Sequence, residues 1–150
     1  MSQQPRDRNG LGSILLDESA SLAFVNAQVG KLRLLSQHLS IDTIDLENSD
    51  VYVTLVRMKD GKKYTIRLRC DGYPLTAPSV VFVNPADRRS EGGQFWPDDG
   101  NRAFKRSENP PFICVRGIRE YHQRHGGEQF TQADVSLPGI VAMLVTMMNV

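Results

Sequence analysis

Cys114 and the two histidines after it are the residues of this sequence best suited to covalent chemistry. Cys114 ends the short apolar run 111–114, and His122 and His125 follow at eight and eleven residues. A thiolate is a strong nucleophile and a good leaving group, so an accessible cysteine can take up an acyl group and pass it on. His122 is predicted to deprotonate an incoming amine or to donate a hydrogen bond to a tetrahedral oxyanion, and His125 ranks below it.

Each of these residues has a competing structural role. Cys114 is otherwise a packing residue among its apolar neighbours, since free cysteines are often buried. His122 is otherwise a solvated loop histidine, because polar residues follow it. Three arginines lie near Cys114 in sequence, and their charge would favour its thiolate: Arg106, Arg116 and Arg119.

Cys70 is expected to be a core residue, and no metal or cofactor is expected. Cys70 continues the alternating inward series Tyr64, Ile66 and Leu68. The spacing of the cysteines and histidines matches no paired zinc pattern such as Cys-x-x-Cys. Neither a phosphate-binding loop nor a dinucleotide glycine fingerprint occurs, so an ATP-dependent step would belong to a partner.

The bulk composition favours one soluble domain. The chain has 150 residues, is 40% hydrophobic and carries a formal net charge of +1. These values predict neither nucleic-acid nor membrane binding. No signal peptide or membrane-spanning run is expected, and two cysteines without a disulfide framework favour the cytoplasm.

The first half of the chain predicts a helix followed by antiparallel strands. Residues 1–18 are predicted to be a flexible arm, and Ser19 or Ser21 is predicted to cap a helix that runs to about Ser40. Residues 41–46, 51–58 and 63–70 read as strands, with a glycine-bearing hairpin turn before the third. Alternation in this third strand predicts an exposed basic face made of Thr65, Arg67 and Arg69.

The second half predicts a further strand, a long loop and a helix. Residues 79–83 read as a strand and 86–111 as an irregular loop, with Trp96 anchoring it to the sheet. Residues 136–149 carry a continuous apolar face at helical spacing. The predicted class is α+β, with an N-terminal and a C-terminal helix packed on a four-stranded antiparallel meander.

The segment from Tyr64 to Pro85 resembles the superfamily of ubiquitin-conjugating (E2) enzymes. It contains a strand, the turn Tyr73-Pro74, a second proline at Pro78 and a short strand that ends near a proline, as in that family. The order of elements in residues 19–150 is also similar. The resemblance implies a single E2-like (UBC-like) domain whose cysteine, Cys114, carries a ubiquitin-like protein as a thioester. It also implies an E1-like adenylating partner and a protein substrate with an acceptor amine.

The sequence departs from that family at its His-Pro-Asn motif, where Trp96-Pro97-Asp98 stands instead. Asp98 and Asn101 are the candidates for the oxyanion or loop-supporting role of the absent asparagine. With these departures the chain resembles divergent bacterial E2-like proteins of ubiquitin-like conjugation operons. That resemblance implies a role in antiviral defence. Two alternatives stay open: a catalytically inactive E2-variant domain that binds a ubiquitin-like protein or scaffolds an assembly, and an unrelated α+β protein.

Overall fold

A computed structural model describes residues 17–97, 101–126, 129–131 and 136–149. Its elements follow in the order helix, four strands, a short 3-10 turn, a two-stranded hairpin and two helices. We number them α1 (Glu18–Leu34), β1 (Ile41–Glu47), β2 (Asp50–Val56), β3 (Lys63–Arg69), β4 (Ser79–Val83), β5 (Phe104–Lys105), β6 (Phe112–Ile113), α2 (Arg119–Arg124) and α3 (Leu137–Met148), with the 3-10 turn at Gly93–Phe95.

Helix α1 begins and ends earlier than predicted. Its cap is Asp17, whose carboxylate accepts the Ser19 N–H at 2.9 Å. Ser21, one of the two predicted caps, is instead buried and donates its hydroxyl to the Tyr73 carbonyl at 2.6 Å. The helix stops at Leu34 because residues 35–40 turn the chain back into β1, with φ of 55° at Ser40. Residues 1–16 of the predicted arm lie outside the described part of the chain.

The four long strands form one antiparallel sheet in the order β1-β2-β3-β4. The predicted hairpin turn joins β2 to β3, and Gly61 there has φ of 73°. Val53, Ile66 and Phe82 align across β2, β3 and β4, and all three are fully buried. They share the hydrophobic core with residues from both long helices, among them Val25, Val29 and Leu32 of α1 and Ile140, Val141 and Leu144 of α3. The predicted α+β class, with a helix at each end of a four-stranded antiparallel sheet, is confirmed.

The opposite face of β3 is covered, so the predicted exposed basic face is wrong for Thr65 and Arg67. Both are buried, and only Arg69 is exposed. The segment after β4 covers this face. Its Glu91 carboxylate accepts a hydrogen bond from the Arg67 guanidinium at 2.9 Å. Alternation in a strand reports that two faces differ, but it does not report what packs on the second face.

Helix α3 follows its prediction closely. Ser136 caps it by accepting the Gly139 N–H at 3.1 Å, and Pro138 lies in the first turn. The Gln28 side chain of α1 accepts the Leu137 N–H at 3.1 Å, which ties the start of α3 to α1. A cis peptide bond joins Tyr73 to Pro74 in the segment between β3 and β4.

Candidate active site

The β5–β6 hairpin holds Cys114 at the protein surface. Phe104 pairs with Ile113 in this hairpin, and both side chains are buried. Phe104 packs edge-on against Phe82 of β4, with ring centroids 5.3 Å apart. The Cys114 N–H donates to the Ala103 carbonyl at 2.8 Å, so the pairing continues one residue beyond β6. Because strand residues alternate between faces, Cys114 lies on the side opposite Ile113, away from the core.

The two cysteines differ sharply in environment. Cys70 is fully buried, and this burial raises the pKa of its thiol to about 12. Cys114 is partly exposed, and neither cysteine forms a disulfide. The prediction that Cys70 is a core residue is confirmed, and Cys114 is the thiol open to chemistry.

His125 contacts Cys114. Its Nε2 lies 3.8 Å from the Cys114 Sγ, within hydrogen-bond distance for sulfur. The imidazole stacks on the Tyr121 ring, with ring centroids 4.2 Å apart. The backbone N–H of His125 donates to the Tyr121 carbonyl at 2.9 Å. Tyr121 and His125 are four residues apart, the spacing that places two residues on one side of a helix. A predicted helix over residues 119–124 would indicate this pair, but the polar composition of the segment gives no periodic pattern from which to predict the helix.

His122, the histidine predicted to act on the incoming amine or the oxyanion, holds the turn that follows Cys114. Its Nε2 accepts the Gly117 N–H at 3.0 Å, so in this arrangement the ring carries its proton on Nδ1. Gly117 has φ of 99°, a backbone conformation that favours glycine. His122 also packs against Phe130 and lines an open cleft of about 490 Å³. A catalytic role for His122 stays a prediction, and its visible role is to fix the turn.

Helix α2 is clamped to the main sheet, which sets the positions of both histidines. Glu120 accepts the Ser79 hydroxyl at 2.5 Å and the Val80 N–H at 3.4 Å, both at the start of β4. Arg119 donates to the Ala77 carbonyl at 3.0 Å and to the Asp71 carboxylate at 2.7 Å. Arg119 is therefore committed to the β3–β4 connection, although its place in the sequence suggested support of the Cys114 thiolate. Arg106 is likewise turned away from the thiol, toward the Gly93 carbonyl at 3.0 Å.

Asn101 supports the site through the backbone. Its Oδ1 accepts the Ala103 N–H at 3.0 Å, and its carbonyl accepts the Phe104 N–H at 2.9 Å. These bonds shape the turn whose Ala103 carbonyl holds the Cys114 N–H. Asp98, the other candidate for this role, lies outside the described residues.

Trp96 is the predicted anchor of the long loop, and the prediction is confirmed. Its side chain is 1% exposed and its ring lies 4.9 Å from that of Phe82. The indole Nε1 donates to the Glu91 carbonyl at 3.0 Å. The described parts of the segment between β4 and β6 are thus more regular than predicted, because aromatic contacts with β4 hold both the 3-10 turn and the hairpin.

Comparisons with known proteins give no family for this chain. No protein-family model matches it, and no curated protein is similar enough to count as a match. Across the described residues, no cluster of three or more histidine, cysteine or acidic side chains is arranged to hold a metal ion. In the same part of the chain, no helix is both long and apolar enough to cross a membrane.

Proposed function

We propose that this protein is an E2-like conjugating enzyme that carries a ubiquitin-like protein as a thioester on Cys114. The observation that carries the proposal is the pairing of a partly exposed Cys114 with the His125 imidazole, 3.8 Å away. Supporting it are the Tyr73-Pro74 segment and an order of helix, four-stranded meander, cysteine-bearing segment and helix. A cytoplasmic setting completes the proposal, since a reducing compartment keeps the thiol free.

The proposed reaction has two acyl transfers. In the first, the Cys114 thiolate attacks the carbonyl of the modifier's thioester on the E1-like partner, and the partner's thiolate leaves. In the second, an acceptor amine attacks the Cys114 thioester, an amide forms, and the Cys114 thiolate leaves. His125 is close enough to the sulfur to accept the proton that the amine loses.

A mass measurement tests the carrier role. The protein is incubated with ATP, magnesium and the E1-like and ubiquitin-like proteins encoded beside its gene, and its intact mass is recorded without reductant. We expect a modifier-sized adduct that excess thiol removes. The adduct should be absent from Cys114→Ala and present in Cys70→Ala, which removes the buried cysteine instead. An adduct that persists in Cys114→Ala would overturn the assignment.

A second candidate function is a binding domain with an E2-like fold and no catalysis. Trp96, which stands at the position of the family's histidine, is buried in the core and occupied with the Glu91 carbonyl. It cannot order the site as a histidine of the family's motif would. If the E1-like protein is charged with modifier but Cys114 never forms an adduct, this candidate replaces the first.

A further inference from the structure

The segment that carries Cys114 is basic. Residues 101–126 contain six arginine or lysine residues and two glutamates. The Glu120 carboxylate is held at the start of β4, and Glu108 lies in the turn between β5 and β6. The chain as a whole has a formal net charge of only +1, so the positive charge is concentrated in the segment that carries the thiol.

Two cations share the outward side of the hairpin with Cys114. Lys105 lies directly opposite Phe112 in the strand register, so the two side chains project to the same side. Cys114 follows Phe112 by two residues and therefore lies on that side as well. The Arg124 guanidinium lies over the Phe112 ring, 3.8 Å from its centroid. This contact places Arg124 on the side of the hairpin that carries Cys114.

From this charge distribution we infer that the acceptor amine belongs to a lysine flanked by aspartate or glutamate. The inference rests on the proposed function, because it concerns the amine that attacks the Cys114 thioester. A protonated lysine alone would be repelled by Lys105 and Arg124 as it approaches. Neighbouring carboxylates reverse the sign of that interaction and place the amine beside the sulfur.

An acidic peptide fits these observations better than a nucleic acid. Nucleic-acid binding depends on many phosphate contacts over an extended basic surface. Here Arg106 is turned toward the Gly93 carbonyl and Arg119 is paired with Asp71. The small basic rim at the thiol is therefore defined by Lys105 and Arg124. A rim of this size suits one or two carboxylates next to the reacting group.

The first test measures charge selectivity at Cys114 without any partner protein. The rate of disulfide exchange is compared for an anionic probe, 5,5′-dithiobis(2-nitrobenzoic acid), and a neutral one, 4,4′-dithiodipyridine. We expect the anionic-to-neutral rate ratio to fall about three- to tenfold from 10 mM to 500 mM salt, because added salt screens the attraction between these cations and the anionic probe. The Lys105→Gln/Arg124→Gln variant should show the low ratio at all salt concentrations, and Arg89→Gln, a neutralised arginine outside the hairpin, should behave as wild type. A salt-independent ratio in the wild type would overturn the inference.

The second test measures acceptor choice. Cys114 is acylated with acetyl-glycyl-glycine benzyl thioester, and transfer to acetyl-Glu-Lys-Glu-amide is compared with transfer to acetyl-Arg-Lys-Arg-amide. We expect the acidic peptide to react at least threefold faster at 10 mM salt, with the preference lost in the double variant and kept in Arg89→Gln. Equal rates after efficient acylation would overturn the inference alone, whereas failure of Cys114 to acylate would overturn the proposed function with it. A competition experiment compares two ligands that could protect Cys114 from the anionic probe, the acidic peptide and a single-stranded oligonucleotide. The inference would also be overturned if the oligonucleotide protected Cys114 at a tenth of the concentration at which the acidic peptide does.

Discussion

Selective alkylation offers a direct test of the contrast between the two cysteines. Burial raises the pKa of Cys70 to about 12. At pH 8 a thiol with that pKa is about one part in 10⁴ thiolate, whereas a solvated cysteine with a pKa of about 8.5 is roughly a quarter thiolate. Ionisation alone therefore slows Cys70 by about 2,000-fold relative to a solvated thiol. Its complete burial adds a steric barrier.

Iodoacetamide at pH 8, followed by intact mass, measures this contrast. The native protein should take up one label, located at Cys114 by peptide mapping. Cys114→Ala should take up none over the same time, and both thiols of the wild type should react once guanidinium unfolds the chain. Two labels gained at similar rates by the native protein would refute the assignment of Cys70 to the core. A label placed on Cys70 alone would refute the accessibility of Cys114 and with it the proposed active site.

Three further predictions concern the site and its supports. His125→Ala should slow alkylation of Cys114 about three- to tenfold, since the thiolate loses its nearest imidazole. His122→Ala should mainly lower the thermal midpoint of unfolding, because it releases the Gly117 N–H. Equal slowing of alkylation by both variants would contradict the geometry. Trp96→Ala should lower the free energy of unfolding in urea by about 3–5 kcal/mol, as for other buried aromatic truncations, and a loss below about 1 kcal/mol would contradict its anchoring role. Burial raises the pKa of both Cys70 and Tyr73 to about 12, well above the usual values of these groups, so the folded state favours their neutral forms. Stability from this source should be complete below pH 9 and should fall as the pH rises from 9 to 12, and urea midpoints that stay flat across this range would count against it.

The strands and the last helix could be predicted because their signals are local. In β3 the alternating pattern and the Gly61 turn fix the strand and its hairpin without reference to distant residues. In α3 the apolar face and the Ser136 cap lie within one stretch of sequence. A periodic pattern of this kind survives in the fold because burial of the apolar face is what stabilises the element.

Elements whose positions depend on distant partners cannot be predicted from a local pattern. Helix α2 buries no residue fully, and its place is set by Glu120, whose bonds to Ser79 and Val80 span some forty residues of sequence. The cover over Arg67 likewise depends on Glu91, twenty-four residues away. Neither contact leaves a periodic trace, so the polar segment 116–129 and the second face of β3 could not be assigned from pattern alone.

The same dependence on distant contacts decides which histidine meets Cys114. His122 is closer to Cys114 in sequence, and sequence distance alone favours it. In the structure the chain turns at Gly117 and enters α2, which brings the more distant His125 back to the sulfur and leaves His122 at the turn. The residue types of the candidate site were thus readable from the sequence, but their pairing follows from the clamp between α2 and β4. Since loosening that clamp would separate His125 from Cys114, Glu120→Gln, which weakens its bonds to Ser79 and Val80, should slow Cys114 alkylation toward the rate of His125→Ala without touching either reacting group.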